Sequence, residues 1–204
     1  MTGMLWLSLL FVCLLGAMSP GPSLVIVAQH TLASGRKQGV LTAWAHALGI
    51  GFYALLTLMG LALLIEAHPT AFRVVSYAGA AYLIWLGIGA LRSTHGIGAK
   101  LAAGKPAPWY AGMRDGLAIS LLSPKIILFF TALFSQFVSP SQGQEGAFLI
   151  VMTPWVVDGL WYTLIACLLS HPKFLPWVRR RAVMIDRLSG IILIALALRV
   201  LMGS

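Results

Sequence analysis

Two short runs hold most of the chemistry this chain can offer: Ser19-Pro20-Gly21-Pro22 and Ser123-Pro124-Lys125. Each lies inside a long apolar stretch. Proline removes a backbone N–H and clashes with the preceding turn, so a helix through either run must break. Beyond a break a half-helix starts, exposing unpaired N–H groups and the positive end of its dipole. Such an end suits an anion, a carboxylate for example. One proline break reads as well as a kink without a ligand. Two breaks whose Ser-Pro pairs stand 104 residues apart point instead to paired half-helices around a site. The candidate substrate-binding residues are therefore Ser19, Pro20, Gly21, Pro22, Ser123, Pro124 and Lys125.

Lys125 lies 11 residues into its apolar stretch, a depth of about 16 Å at helical rise. A cation there costs about 2.5–3.5 kcal/mol on insertion scales, so something must offset it. Asp158 lies at similar depth in another stretch, and a Lys125–Asp158 pair is the economical partner assignment. Such a pair is either purely structural or part of a site. In a site, Lys125 and the half-helix ends would hold a substrate carboxylate. Asp158 and, as a further candidate, His46 would then take an ammonium group or a coupling proton. His46, at mid-depth in a third stretch, also reads as a hydrogen-bonded core histidine. Gln29 and His30 sit nearer one end of the first stretch, while Glu66, His68 and Arg73 read as solvated edge. Cys13 and Cys167 sit in apolar runs and read as small buried residues. No Walker loop, zinc motif or nucleophile elbow is present.

The elements that must position these residues are membrane helices. Of 204 residues, 59% are hydrophobic and 9% charged, with a mean hydropathy of +0.91. That is too little polar surface to cover a water-soluble globule of this size. Six apolar stretches are long enough to cross hydrocarbon: 4–33, 39–65, 71–91, 114–138, 146–170 and 183–202. The first carries no basic residue before Arg36, so it reads as a retained helix, not a secretory leader. Tetrads of small residues (Ala43, Ala47, Gly51; and Gly79, Gly87 with Leu83) read as close helix packing.

The net charge of +9 does not point to nucleic acid. Eleven of the 14 basic residues lie in the connections after stretches one, three and five or just inside the stretch that follows, which makes those connections cytoplasmic and both termini periplasmic. Six spans divide into halves of three, about 1–98 and 106–204, and an odd number per half forces opposite orientations. The expected fold is all-α: one transmembrane domain over 1–204, six helices in two inverted three-helix repeats, the first and fourth broken by proline.

These residues place the chain beside a known family. Gly16-Ala-Met-Ser-Pro-Gly-Pro22, Gly35-Arg36 with Gly39, Gly60-Leu61, Gly79-Ala-Ala-Tyr-Leu-Ile-Trp-Leu-Gly87 and Asp115-Gly116 carry the likeness, continued by Ser123-Pro124-Lys125 with Phe129-Phe130, Gln136-Phe137-Val138 and Gly190. Over nearly its whole length the sequence resembles the LysE/RhtB family of bacterial amino-acid exporters. It departs at Ser123, where that family usually has Asn, and at Ser135, where it usually has Pro. The resemblance implies an inner-membrane, proton-driven secondary transporter of amino acids or close analogues, without cofactor, metal or enzymatic activity. It leaves a homo-oligomer open. Two other functions stay in view: export of a metal cation, and a membrane thiol–disulfide carrier using Cys13 and Cys167.

Overall fold

The computed structural model describes residues 3–94, 101, 106–134, 137, 143–171 and 173–203, with side chains for all but 61–66, 69, 72, 75, 124, 132 and 133. The expected repeat boundary near 98, Lys100 and Lys105, and the family positions Ser135, Gln136 and Val138 lie outside these. Among the described residues every regular element is a helix. They are α1 (Gly3–Met18), α2 (Pro22–Ser34), α3 (Arg36–Ala67), α4 (Pro69–Leu91), α5 (Trp109–Leu122), α6 (Pro124–Phe134), α7 (Gln144–Leu169) and α8 (Phe174–Gly203).

Proline sets where several of these helices begin. Pro22 and Pro69 occupy the first turn of α2 and α4, and Pro124 begins α6; a proline at a helix start loses no hydrogen bond it would otherwise make. The stretch expected at 4–33 is α1 and α2, bent by 62° at the Ser-Pro-Gly-Pro run. The stretch expected at 114–138 is α5 and α6, parted at Ser123. The two breaks differ: residues 19–21 separate α1 from α2, whereas Ser123 alone separates α5 from α6. Pro154 sits inside α7 without ending it. By length and composition Arg36–Gly60 and Gln144–Leu169 are each able to cross a membrane, and the bent α1–α2 pair, a broken span or a re-entrant loop, passes the same test only as a pair. Helices α4, α5–α6 and α8 overlap the other three expected spans.

The most extensive packing is between helices far apart in the chain. α3 lies against α5 on one side and α7 on the other, and α4 lies along α8. Small residues make this close approach workable. A Cβ on Gly87 would stand 2.8 Å from the Gly190 carbonyl oxygen, and one on Gly190 would stand 2.6 Å from that of Gly87. Between α3 and α5, Gly116 fits against the Thr42 carbonyl and Gly112 against the side chains of Thr42 and Gln38. Ala43 and Ala47 are buried as expected, and Gly51 faces Trp155 of α7. An aromatic cluster of Phe129, Phe130 and Phe134 fills the space beside Leu9, Val12 and Leu196. Phe52, Trp85, Phe148 and Leu160 are exposed on the outer face, as suits helices surrounded by lipid.

Candidate functional site

The first break leaves a carbonyl without its helical partner, and a residue of the second break takes it up. In an unbroken helix the Ser19 carbonyl would accept from the N–H four residues on. Here Lys125 Nζ donates to Ser19 O at 2.9 Å and to Ser19 Oγ at 3.0 Å. Ser19 is buried. One lysine thus ties the two breaks together. The N-terminus of α2 has no side-chain cap, so its first N–H groups remain available as donors.

The second break is satisfied differently. Ile126 and Ile127 N–H both donate to Ser123 O, at 3.1 and 3.2 Å. Tyr53 of α3 donates its hydroxyl to Leu121 O at 2.6 Å, replacing a helical bond lost at the interruption. Ser123 is buried and is not among the lining residues of the two cavities described below.

Beside the breaks, α3, α7 and α2 contribute a hydrogen-bonded chain. His46 Nδ1 and Asp158 Oδ2 stand 2.7 Å apart, and His46 Nε2 and Ser23 Oγ 2.8 Å apart. An ionised carboxylate can only accept, so the Nδ1–H donates to Asp158, and in a neutral imidazole Nε2 accepts a hydrogen bond from the Ser23 hydroxyl. The side chains of His46 and Asp158 are 2% and 8% exposed. Tyr162, one turn after Asp158, sets its ring edge-on to His46 with centroids 5.2 Å apart. The expected Lys125–Asp158 ion pair is not formed: among the described residues the partner of Asp158 is His46, and Lys125 hydrogen-bonds Ser19. The physical reason is that Lys125 meets the bare carbonyl of the first break before it reaches the carboxylate.

Both sets of residues face one small cavity of about 50 Å³, room for more than one water. Ser19, Gly21, Pro22, Ser23, His46, Lys125 and Asp158 line it, closed in by Cys13, Phe129 and Tyr162 among others. A second, more open cavity of about 560 Å³ lies on the other side of the first break. It is lined from α2 by Val25, Ile26 and Gln29, and from α8 by Asp186 and Ser189. Ser19, Gly21, Pro22 and Lys125 line both cavities, and Pro20 lines the outer one. Of the residues predicted from sequence, Ser19, Gly21, Pro22, Lys125, His46 and Asp158 therefore come together. The side chain of Pro124 lies outside the described ones.

Three residues here escaped the sequence reading. Ser23 directly follows the first break, Tyr162 stands four residues after Asp158 on the same helix face, and Asp186 heads the last apolar stretch. The i, i+4 spacing of Asp158 and Tyr162 was a usable signal. His30 takes part elsewhere, with Nε2 3.1 Å from Asp115 Oδ2, while Arg114 reaches Asp115 Oδ1 at 2.8 Å. Cys13 and Cys167 are both free thiols. Among the described residues no three of His, Cys, Asp and Glu stand together as metal ligands.

Comparison with known proteins settles the family. The LysE type translocator family matches residues 14–204. The chain belongs to the LysE type translocators. This translocator is 30% identical over 193 residues to the threonine efflux protein of Escherichia coli (strain K12), covering 92% of each. It is 36% identical over 135 residues to the leucine efflux protein of Enterobacter sp. (strain 638), covering 66% of this chain and 64% of that protein. It is also 42% identical over 119 residues to the uncharacterized membrane protein YahN of Escherichia coli (strain K12), covering 57% of this chain and 53% of that one. No solved structure matches it. The translocator is a membrane transport protein and not an enzyme.

Proposed function

We propose that this translocator exports amino acids across the bacterial inner membrane as a proton-coupled secondary transporter. Its six spans form two inverted halves around the paired breaks, with both termini periplasmic. The observation that carries the reading is one cavity bearing both Lys125 and Asp158, one group for each charge of a zwitterion. The pairing of α3 with α7 and α4 with α8 suits a two-fold arrangement of halves, and the relatives named for threonine and leucine efflux suit the substrate class.

The geometry gives each group a task. A substrate carboxylate competes with Ser19 for the Lys125 ammonium, helped by the free N–H groups at the start of α2. Winning that competition releases the bond between the breaks, which links binding to movement of the two halves. The substrate ammonium lies toward Asp158. A coupling proton enters the same pair: protonated Asp158 or imidazolium His46 no longer offers an ammonium the same attraction, so proton uptake expels the substrate on the far side. Ser23 extends this chain to the cavity wall.

Efflux from proteoliposomes loaded with a panel of amino acids, L-threonine and L-leucine included, tests the proposal. The expected result is export accelerated by an inward proton gradient, abolished by Lys125→Met and made insensitive to the gradient by Asp158→Asn. Export of no amino acid, or full export by both variants, overturns it.

A further inference from the structure

We propose that the outer cavity is a loading site for the amino acid, in which Asp186 holds the substrate ammonium before it passes to Asp158. This rests on the amino-acid export reading above. The cavity, about 560 Å³, lies between α2, α4 and α8. Among its described lining residues two are charged, Lys125 and Asp186. The inner cavity repeats the arrangement with Lys125 and Asp158. Lys125 is common to both, so one cation faces two carboxylates in series.

Asp186 differs from the other aspartates of the chain. Asp158 is paired with His46, and Asp115 with His30 and Arg114. Asp186 makes no ion pair among the described residues, although it is only partly exposed and stands inside a helix that continues as an apolar stretch. A carboxylate in such a place is costly without a cation beside it. A transient cation, the α-ammonium of the passing substrate, supplies that partner. Gln29 and Asp186 lie toward the basic ends of α2 and α8, near Arg36, Lys37 and Arg179–Arg181, so the cavity faces the compartment that export draws from. The substrate then moves inward with its carboxylate led to Lys125 while its ammonium exchanges Asp186 for Asp158. An α-hydroxy acid keeps the carboxylate for Lys125 but has no ammonium for either aspartate.

Two measurements test this in the full chain. In proteoliposome efflux of L-threonine and L-leucine, Asp186→Asn raises the half-saturating internal concentration about tenfold, the loss of one charge-assisted hydrogen bond, and Asp186→Glu restores it. For occupancy, Gly89→Cys places a thiol in the cavity wall, where a Cβ meets nothing within 4 Å. With Cys13 and Cys167 replaced by Ser, modification of that thiol by a cationic thiosulfonate is slowed by L-leucine or L-threonine. 4-Methyl-2-hydroxypentanoate, which has no ammonium, does not slow it, and Asp186→Asn removes the protection. Protection by the hydroxy acid equal to that by L-leucine overturns the proposal, as does protection by neither amino acid, or protection that survives Asp186→Asn. If Lys125→Met abolishes export and Asp158→Asn makes it insensitive to the gradient while Asp186→Asn leaves half-saturation unchanged, the loading site falls and the export reading stands. If those two variants export normally, the export reading itself has failed.

Discussion

The His46–Asp158 pair makes the sharpest energetic prediction. Both side chains are almost wholly enclosed, and their bond is 2.7 Å long. Asp158→Leu leaves His46 Nδ1–H buried without an acceptor, which costs about 1–3 kcal/mol for a neutral donor. If His46 carries a proton in the native pair, an uncompensated buried charge raises this to about 3–5 kcal/mol. His46→Leu leaves the carboxylate stranded and carries a similar penalty. The double variant, His46→Leu with Asp158→Leu, buries no orphaned polar group from the pair. Its stability should return to within about 1.5 kcal/mol of the parent, a coupling of about 2.5 kcal/mol where each single variant costs about 2 kcal/mol. The assay is a four-member cycle of unfolding free energies by SDS titration in mixed micelles, with efflux measured on the same preparations. The double variant should be stable and inactive. Coupling below about 0.5 kcal/mol would show that the two residues do not share a bond, and restored efflux would show that the pair is structural only.

Other consequences are read from single contacts. Tyr53→Phe removes the donor to Leu121 O and should lower stability by about 1–3 kcal/mol, checked by the same titration. Gly16→Ala drives a methyl into the Phe129 ring at the wall of the inner cavity; efflux should fall, and Phe129→Leu in the same chain should recover part of it. Ser19→Ala deprives Lys125 of one of its two acceptors, so a substrate carboxylate should compete better and half-saturation in the efflux assay should drop. Reporter fusions after Lys37 and Arg181 should both behave as cytoplasmic; a periplasmic result for either would overturn the six-span orientation.

The helices and their breaks were legible because proline and long apolar runs act locally. Hydrocarbon demands that backbone groups be paired within each segment, so hydropathy fixes the helices and Pro22 and Pro124 fix where two of them begin. That Lys125, Asp158 and His46 belong near one another was legible for the same reason, since counting residues along a helix sets their level, and all three line one cavity. Their partners were not. Pairing depends on helix rotation and on which backbone atoms a break strands, and neither leaves a mark in the sequence. Lys125 and Asp158 were matched by depth and charge, whereas the first break offered Lys125 a bare carbonyl and α3 offered Asp158 an imidazole. Asp186 escaped for a related reason: at the start of an apolar stretch a carboxylate reads as solvated until neighbouring helices place a cavity beside it.

The unequal lengths of the two breaks follow from the same bond. Residues 19–21 form an open step with exposed backbone, while the second break is a single residue whose carbonyl is already taken by Ile126 and Ile127. A flexible side chain is therefore the means by which the second break reaches the first. Had α6 presented an apolar residue in place of Lys125, the Ser19 carbonyl would be left without this partner at a depth where water is scarce, and a stranded buried carbonyl costs about 1–3 kcal/mol. The ammonium removes that penalty at rest and yet stays exchangeable, because a carboxylate is a better acceptor for it than an amide oxygen. A group that stabilises the empty transporter through an acceptor weaker than its substrate can hold the breaks together and let go on binding. This is the property that a structural lysine–aspartate pair, with its stronger acceptor permanently in place, would not have.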